Sequence, residues 1–416
     1  MQKIRILENT VQEYSWGSKT AIPELLGREP NGKPQAELWM GAHPKAPSQV
    51  VDGGSYIPLN EFIESDPVGI LGDSVSSSFE NKLPFLFKIL AAGAPLSIQA
   101  HPNKAQAIEG FNRENSAGIP LDSPVRNYRD DNHKPEMIVA LTPFWALNGF
   151  RNFHDCGILM EKLWGGTFFK ESNPLPKEFS NIAIKGFFES IMNGDITDGN
   201  LRKDAEQEGQ DPMLTKIRTM ADFQPEFQWM LKLDEFYPGD PGILAPLFLN
   251  LVHLQPGEAM FLKAGDLHTY LDGLGIELMA NSDNVLRGGL TPKHIDLPEL
   301  MKVVNFEEKE IEILSPDEIN STEKKYPTYA DEFSLSVLNI SEGNSYRSLS
   351  GRCVEIMICT DGKATVTDSS QQLEIVRGTS FIVPASVSAY SISGNAILFK
   401  ATVPKNAACH QFKEDV

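Results

Sequence analysis

Gln99 and His101 stand two positions apart in "SIQAHPNK", just behind the apolar run "LPFLFKIL". An amide oxygen and an imidazole nitrogen are both metal donors. A period of two places them, with Ser97, on one face of a strand whose other face is Leu96, Ile98 and Ala100. Two further segments concentrate the same chemistry. "YRDDNHKPEMIVAL" carries His133, Lys134 and Glu136 into a strand pattern, and "GDLHTYLDGLGIELMANSDNVLRGGLTPK" carries His268, Tyr270, Glu277, Asp283, Arg287 and Lys293. Gln99, His101, Glu136 and His268 would together supply two imidazoles, one carboxylate and one amide oxygen. Such a set suits zinc or another first-row divalent ion, and the lack of thiolate argues against a purely structural zinc knot. One carboxylate against a divalent ion leaves a net positive centre that can polarise a carbonyl or hydroxyl. Spacing alone does not separate these residues from ordinary core or surface histidines, so the fold has to bring them together.

The elements that would do so are short strands. Residues 1 to about 150 read as strands between Gly and Pro turns, among them "AELWMGAHP", "PFLFKIL", "KPEMIVAL" and "FWALNGF". From about 151 to 249 the periodicity becomes helical, and strand texture returns with "FLNLVHLQPGEAMFLKAGDLHTYLDGLGIELMA". Helices that interrupt one β-unit require the strands on either side to complete a common sheet, which suits an antiparallel sandwich or jelly roll. A second β-rich block follows residue 310, where "TDGKA" reads as a tight hairpin turn. No histidine lies between His294 and His410, so that block offers no imidazole to a metal and reads as structural.

A chain of 416 residues exceeds one typical domain, and 41% hydrophobic with 22% charged residues is a globular composition. The opening "MQKIRILENTVQEYSWGSK" has no apolar core of a signal peptide, and no run is long enough to span a membrane, so a cytoplasmic protein is expected. Cys156, Cys353, Cys359 and Cys409 lack CxxC spacing and read as free thiols. The net charge of −19 disfavours nucleic acid and anionic membranes as partners, and it makes local clusters of Lys and Arg informative.

"PLSIQAHPNK", "YRDDNHKPEM" and "ELMANSDNVLRGGLTPKHID", with "YSWGS" and "AELWMGAHP" near the start, closely resemble the signatures of the type I mannose-6-phosphate isomerases, also called phosphomannose isomerases. The likeness runs in order through residues 5 to 305 and is looser in the helical stretch. It implies a mainly β protein with a helical insertion. Residues 1–150 and 250–310 would form a discontinuous metal-binding cupin catalytic domain, 151–249 an inserted helical domain, and 311–416 a C-terminal cupin-like jelly roll without metal ligands. It assigns Gln99, His101, Glu136 and His268 to one zinc ion per chain and Arg287 to the active site. Thr269 stands where the family commonly has alanine; on a strand it should point away from His268 and Tyr270. The implied substrate is a small sugar phosphate and the expected state a monomer.

Interconverting mannose 6-phosphate and fructose 6-phosphate moves a proton between C2 and C1, with no electrons passed to an acceptor, so a redox-inert ion suffices. An acid and a base near the metal are needed for a route through a cis-enediol. His133 and Lys134 are the adjacent candidates, with Tyr270 and Glu277 behind them. For the phosphate, Arg287 and Lys293 are favoured, with Lys88, Ser97 and Lys134 as contributors. Arg287 has a second reading, stabilising charge on the reacting carbons. Tyr14 and Trp16 read as either aromatic wall or plain core, Glu37 recurs in the family pattern, and His43 reads as structural. A cupin oxygenase or a sugar-phosphate-binding module are the alternative functions.

Overall fold

The computed structural model describes residues 2–164, 177–193 and 212–404. Among them the chain forms two large antiparallel sheets and a set of helices, a mainly β fold with a helical stretch inserted. One sheet holds the chemistry. Its long spine, His268–Ala280, pairs with Phe85–Ala92 on one side and with both Glu136–Ala140 and Phe144–Phe150 on the other. Leu249–Leu254 then extends it beyond Phe144–Phe150. Strands from before and after the helical stretch therefore share this sheet, as an interrupted β-unit requires.

The strands fit their places. Phe85–Ala92 is buried along its whole length, as a central strand covered on both faces must be, and its apolar residues alternate between two cores. Lys88 is the one charge in that strand. It is tolerated because it lies across from Glu277 in register.

The second sheet is built mainly from 317–402, but Arg5–Glu8, Gln49–Asp52 and Ser55–Pro58 add to its edge. Its hydrogen bonding thus crosses the boundary drawn at residue 310. "TDGKA" is not a hairpin turn here. Thr360–Ala364 lies inside the strand Glu355–Asp368, where a register shift against Tyr390–Thr402 marks a bulge and Gly362 takes φ 74°. A bulge and a tight turn ask for the same residue, a glycine with positive φ, so the sequence signal was the same for both.

Helices Phe153–Trp164, Lys177–Met192, Pro212–Met220 and Pro225–Phe236 cover the far side of the sheet. Their apolar faces join Ile98, Ala100, Leu267 and Leu286 in one core. That core backs the strand of Gln99 and His101. Asp240, just after the last helix, reaches from the helical stretch to the site loop. Its Oδ1 accepts from the backbone N–H of Gly242 (2.7 Å) and of Leu290 (2.8 Å), and its Oδ2 from Thr291 (3.1 Å). Leu290 sits at φ 52°, a left-handed conformation that such bonds must hold in place. Asp240→Ala is expected to lower stability by roughly 2–4 kcal/mol in denaturant melts, the loss of several charge-assisted bonds. Amide exchange should quicken at 287–293; unchanged exchange there would show that the segment is held by other contacts.

Candidate metal centre and substrate cavity

Three strand ends meet at the donor set. Gln99 is the register partner of both His268 and Arg287, and Glu136 opposes Met279 near the other end of the spine. His101 Nε2 lies 3.5 Å and His268 Nε2 3.3 Å from Glu136 Oε2. All three side chains are buried, and these three atoms have no hydrogen-bond partner. Among the described residues this is the one group of His, Cys, Asp and Glu whose donor atoms converge as metal ligands would. Buried polar atoms are rarely left unpaired, because each such group costs about 1–3 kcal/mol. A divalent cation would satisfy all three at once, so the residues fit the zinc that the resemblance implies.

The backbone aims the rings. His101 Nδ1 lies 2.7 Å from the carbonyl of Asn284 and His268 Nδ1 2.9 Å from that of Asp266, so each Nδ1 donates and each Nε2 keeps its lone pair for the centre. Asn284 is itself held on both sides. Its amide donates to the carbonyls of Asp130 and Asn132 (2.8 Å each), and its Oδ1 accepts from the backbone N–H of Arg129 (2.7 Å).

Electrostatics keep the donors in ligand form. Burial opposes ionisation of Glu136, but Lys134 (Nζ to Oε1 2.9 Å) and the two imidazoles outweigh it and hold the carboxyl well below its usual range. Burial and then Lys134 push the His101 imidazole down to about 4.

The centre opens into a cavity of about 510 Å³. Ser97, Gln99, Lys88, Lys134, Tyr270, Glu277, Arg287, Lys293 and Trp16 all line it. A bulge explains how Tyr270 and Glu277 share that wall. Register shifts between Tyr270 and Asp272, so the cavity face passes from the even residues His268 and Tyr270 to the odd residues Glu277 and Met279. Thr269 points elsewhere, its hydroxyl donating to the carbonyl of Leu96 at 2.7 Å.

The wall divides into two charge zones. Deep in the sheet, Lys88 is paired with Glu277 (2.9 Å) and Glu37 (3.4 Å), and Trp39 Nε1 donates to Glu37 (2.7 Å). Burial and then the charge of Glu277 raise the Tyr270 phenol well above its ordinary range, so it is protonated at neutral pH. On the loop side stand Arg129, Arg287 and Lys293, none in an ion pair among the described residues. Burial and then Arg129 lower Arg287, and burial, Arg287 and Arg129 lower Lys293. Three mutually repelling cations without counter-charge are a place for a dianion.

Two placements differ from the sequence reading. His133 is not part of the cavity wall: its Nε2 is 2.5 Å from Glu332 Oε1, in the segment leading to the second sheet. It lies with Lys134 in the irregular segment just before the strand Glu136–Ala140, and only Lys134 lines the cavity. This removes His133 from the proton-transfer candidates. His43, read as structural, lines the cavity, with Nε2 3.4 Å from Asp283 Oδ1, while Lys45 binds Asp283 Oδ2 at 2.6 Å. Arg129 was missed, although it sits inside the quoted "YRDDNHKPEM"; the density of charge in that motif was the available signal.

The description "Phosphomannose isomerase type I, catalytic domain" matches residues 4–153, and "Mannose-6-phosphate isomerase, cupin domain" matches residues 322–403. The chain is 42% identical over 407 residues to the mannose-6-phosphate isomerase of Escherichia coli (strain K12), covering 96% of this chain and 98% of that one. It is 32% identical over 438 residues to that of Bos taurus, covering 97% of each. A zinc-bound holo crystal structure of mannose 6-phosphate isomerase superposes with a TM-score of 0.85 at 38% identity, covering 96% of this chain and 99% of that one.

Two outcomes follow from this geometry. Asn284→Ala should weaken zinc binding by about 10–100-fold in competition with a chelator, as loss of a ligand-orienting group does; unchanged affinity would show that the loop keeps its shape without the side chain. Metal-free protein should lose stability as pH falls from 6.5 toward about 4, because in that window the unfolded chain binds a proton at His101 that the folded chain refuses. Denaturant melts across that range check the sign, and His101→Gln should flatten the slope.

Proposed function

Because the chain belongs to the type I phosphomannose isomerase family, it is a zinc-dependent mannose-6-phosphate isomerase, and we propose how its own residues divide that work. The observation that carries the assignment is the pairing, among the described residues, of two features in one cavity: three orphaned donor atoms at its base and three cations without an ion pair at its side. Gln99, His101, Glu136 and His268 would hold the zinc, which supplies positive charge beside the oxygens of the reacting carbons. Arg129, Arg287 and Lys293 bind the phosphate. Ser97 and Trp16 line the sugar's path.

Proton transfer needs groups that face the cavity and differ in character. Tyr270 is a donor: its hydroxyl is buried beside Glu277 and is held protonated, so it hydrogen-bonds a substrate oxygen. Lys134 Nζ, against Glu136 Oε1, is assigned to carrying the proton between C2 and C1 through a cis-enediol. Lys88 and Glu277 are assigned to positioning, since each is occupied by the other.

We further propose that residues 1–150 with 250–310 form the catalytic unit, 151–249 an insertion and 311–416 a second jelly roll. The sheet shared by strands before and after the helical stretch supports the first unit, although Arg5–Glu8, Gln49–Asp52 and Ser55–Pro58 pair into the second sheet. A monomeric, cytoplasmic enzyme is proposed on two grounds. The family resemblance carries the first, and no helix among the described residues is long and apolar enough to cross a membrane.

Activity on mannose 6-phosphate, coupled to detection of fructose 6-phosphate without oxygen, should vanish on chelation and return with zinc. Full turnover by metal-free protein, or oxygen uptake with no ketose formed, would overturn the assignment. Lys134→Met should cut kcat by about 10²–10⁴-fold and stop exchange of the C2 hydrogen with solvent while zinc content holds. Arg129→Ala and Arg287→Ala should mainly raise KM; a fall confined to kcat at Arg287 would instead place it at the reacting carbons.

A further inference from the structure

One face of the second sheet changes chemistry along its strands. Leu338 and Ile340, Met357 and Cys359, and Ala396 and Leu398 pack into one apolar core. At the other end of the same face, period two brings Ser336 and Ser334, Glu355, and Lys400 and Thr402. All but the partly buried Thr402 are buried, and together they line a cavity of about 340 Å³ that shares no residue with the isomerase cavity. Its charges close on one another. Lys400 Nζ is 2.7 Å from Glu323 Oε1 and donates to the hydroxyl of Tyr346 (2.9 Å), while Glu355 Oε2 accepts from Tyr390 (2.8 Å) and lies 3.4 Å from Arg352.

Burying such ions costs several kcal/mol each, and apolar residues would close the end of a barrel more cheaply. The network is also incomplete. Glu323 Oε2 and Arg352 Nε are buried without a hydrogen-bond partner, although both side chains are more than nine-tenths buried. Ser334 and Ser336 form no side-chain hydrogen bond among the described residues. The cavity therefore presents two free hydroxyls, with Leu349 and Val403 as apolar wall, and the unpaired Glu323 Oε2 lies buried in its lining.

We propose that this cavity binds a small neutral polyhydroxylated molecule, a free sugar or sugar alcohol of about hexose size. Its volume is at the small end of ligand sites, which run about 300–1,000 Å³. Charge decides against a phosphate. The isomerase cavity leaves three cations unpaired, whereas here Lys400 and Arg352 are already matched by Glu323 and Glu355, which would repel a dianion. Hydroxyl groups donate and accept, so one ring can satisfy both serines while its C–H face rests on the apolar wall.

The test is calorimetric titration of the full-length zinc-loaded protein with D-mannose, D-glucose and sorbitol, compared with Ser336→Phe, which fills the cavity. At least one probe should bind with Kd of ~10 mM or tighter, and Ser336→Phe should weaken it by ~tenfold or more, while turnover of mannose 6-phosphate changes less than ~twofold. Absence of binding by all three would overturn the proposal. So would binding that Ser336→Phe leaves unchanged, which places the sugar in the isomerase cavity, or displacement of the bound probe by inorganic phosphate. If Ser336→Phe does not fold, the double variant Ser334→Ala, Ser336→Ala is read in the same titration, with a loss of ~threefold or more expected and no loss overturning the proposal.

Discussion

A buried carboxylate that its own protein does not satisfy is the constraint on which the rest of the structure depends. Glu136 Oε1 is occupied by Lys134, but Oε2 faces two imidazole nitrogens that are equally unsatisfied. An arrangement of this kind is costly in an empty interior and favourable around a cation. Its parts therefore have to be held against their tendency to turn toward other partners. The carbonyls of Asn284 and Asp266 do this for the rings, and the sheet register does it for Glu136 and Gln99.

The same economy governs the cavity above it. Charges deep in the sheet are paired, as Lys88 is with Glu277 and Glu37, whereas Arg129, Arg287 and Lys293 form no ion pair among the described residues. Paired charges hold geometry, whereas unpaired ones attract ligand. In a chain of net charge −19, the local cluster of Arg129, Arg287 and Lys293 overrides the global field over a distance of about one Debye length, ~8 Å at physiological salt. In the proposed reading, a substrate carrying phosphate at one end and a carbonyl at the other is oriented with its reacting carbons toward the metal. Asp240 links the helical stretch to that loop, so the helices contribute to the site without lining its metal centre.

Much of this was legible in the residues. Period-two alternation in "SIQAHPNK" placed Ser97 and Gln99 on the cavity side, and the resemblance joined them to Glu136 and His268 across a long stretch of chain. What alternation could not show was a change of its own phase. The bulge after Tyr270 puts even and odd residues on one face, and the bulge at "TDGKA" imitates a turn. Both depend on pairing with distant strands, which local pattern does not contain. His133 lies in the irregular segment before the strand Glu136–Ala140, where it meets Glu332 rather than the cavity, and that long-range contact is not written in the local motif. Arg129 was overlooked because its significance lies in lacking a carboxylate partner, a property of the folded surroundings rather than of the motif.

X-ray absorption at the zinc edge of the reconstituted enzyme tests the central claim most directly, because it reads the ligand set without relying on turnover. Two nitrogen and two protein oxygen neighbours are predicted, one zinc per chain, with one nitrogen lost in His101→Ala and no sulfur in the first shell. A sulfur neighbour, or a zinc environment unchanged by His101→Ala, would contradict a centre built on Glu136 and its two imidazoles.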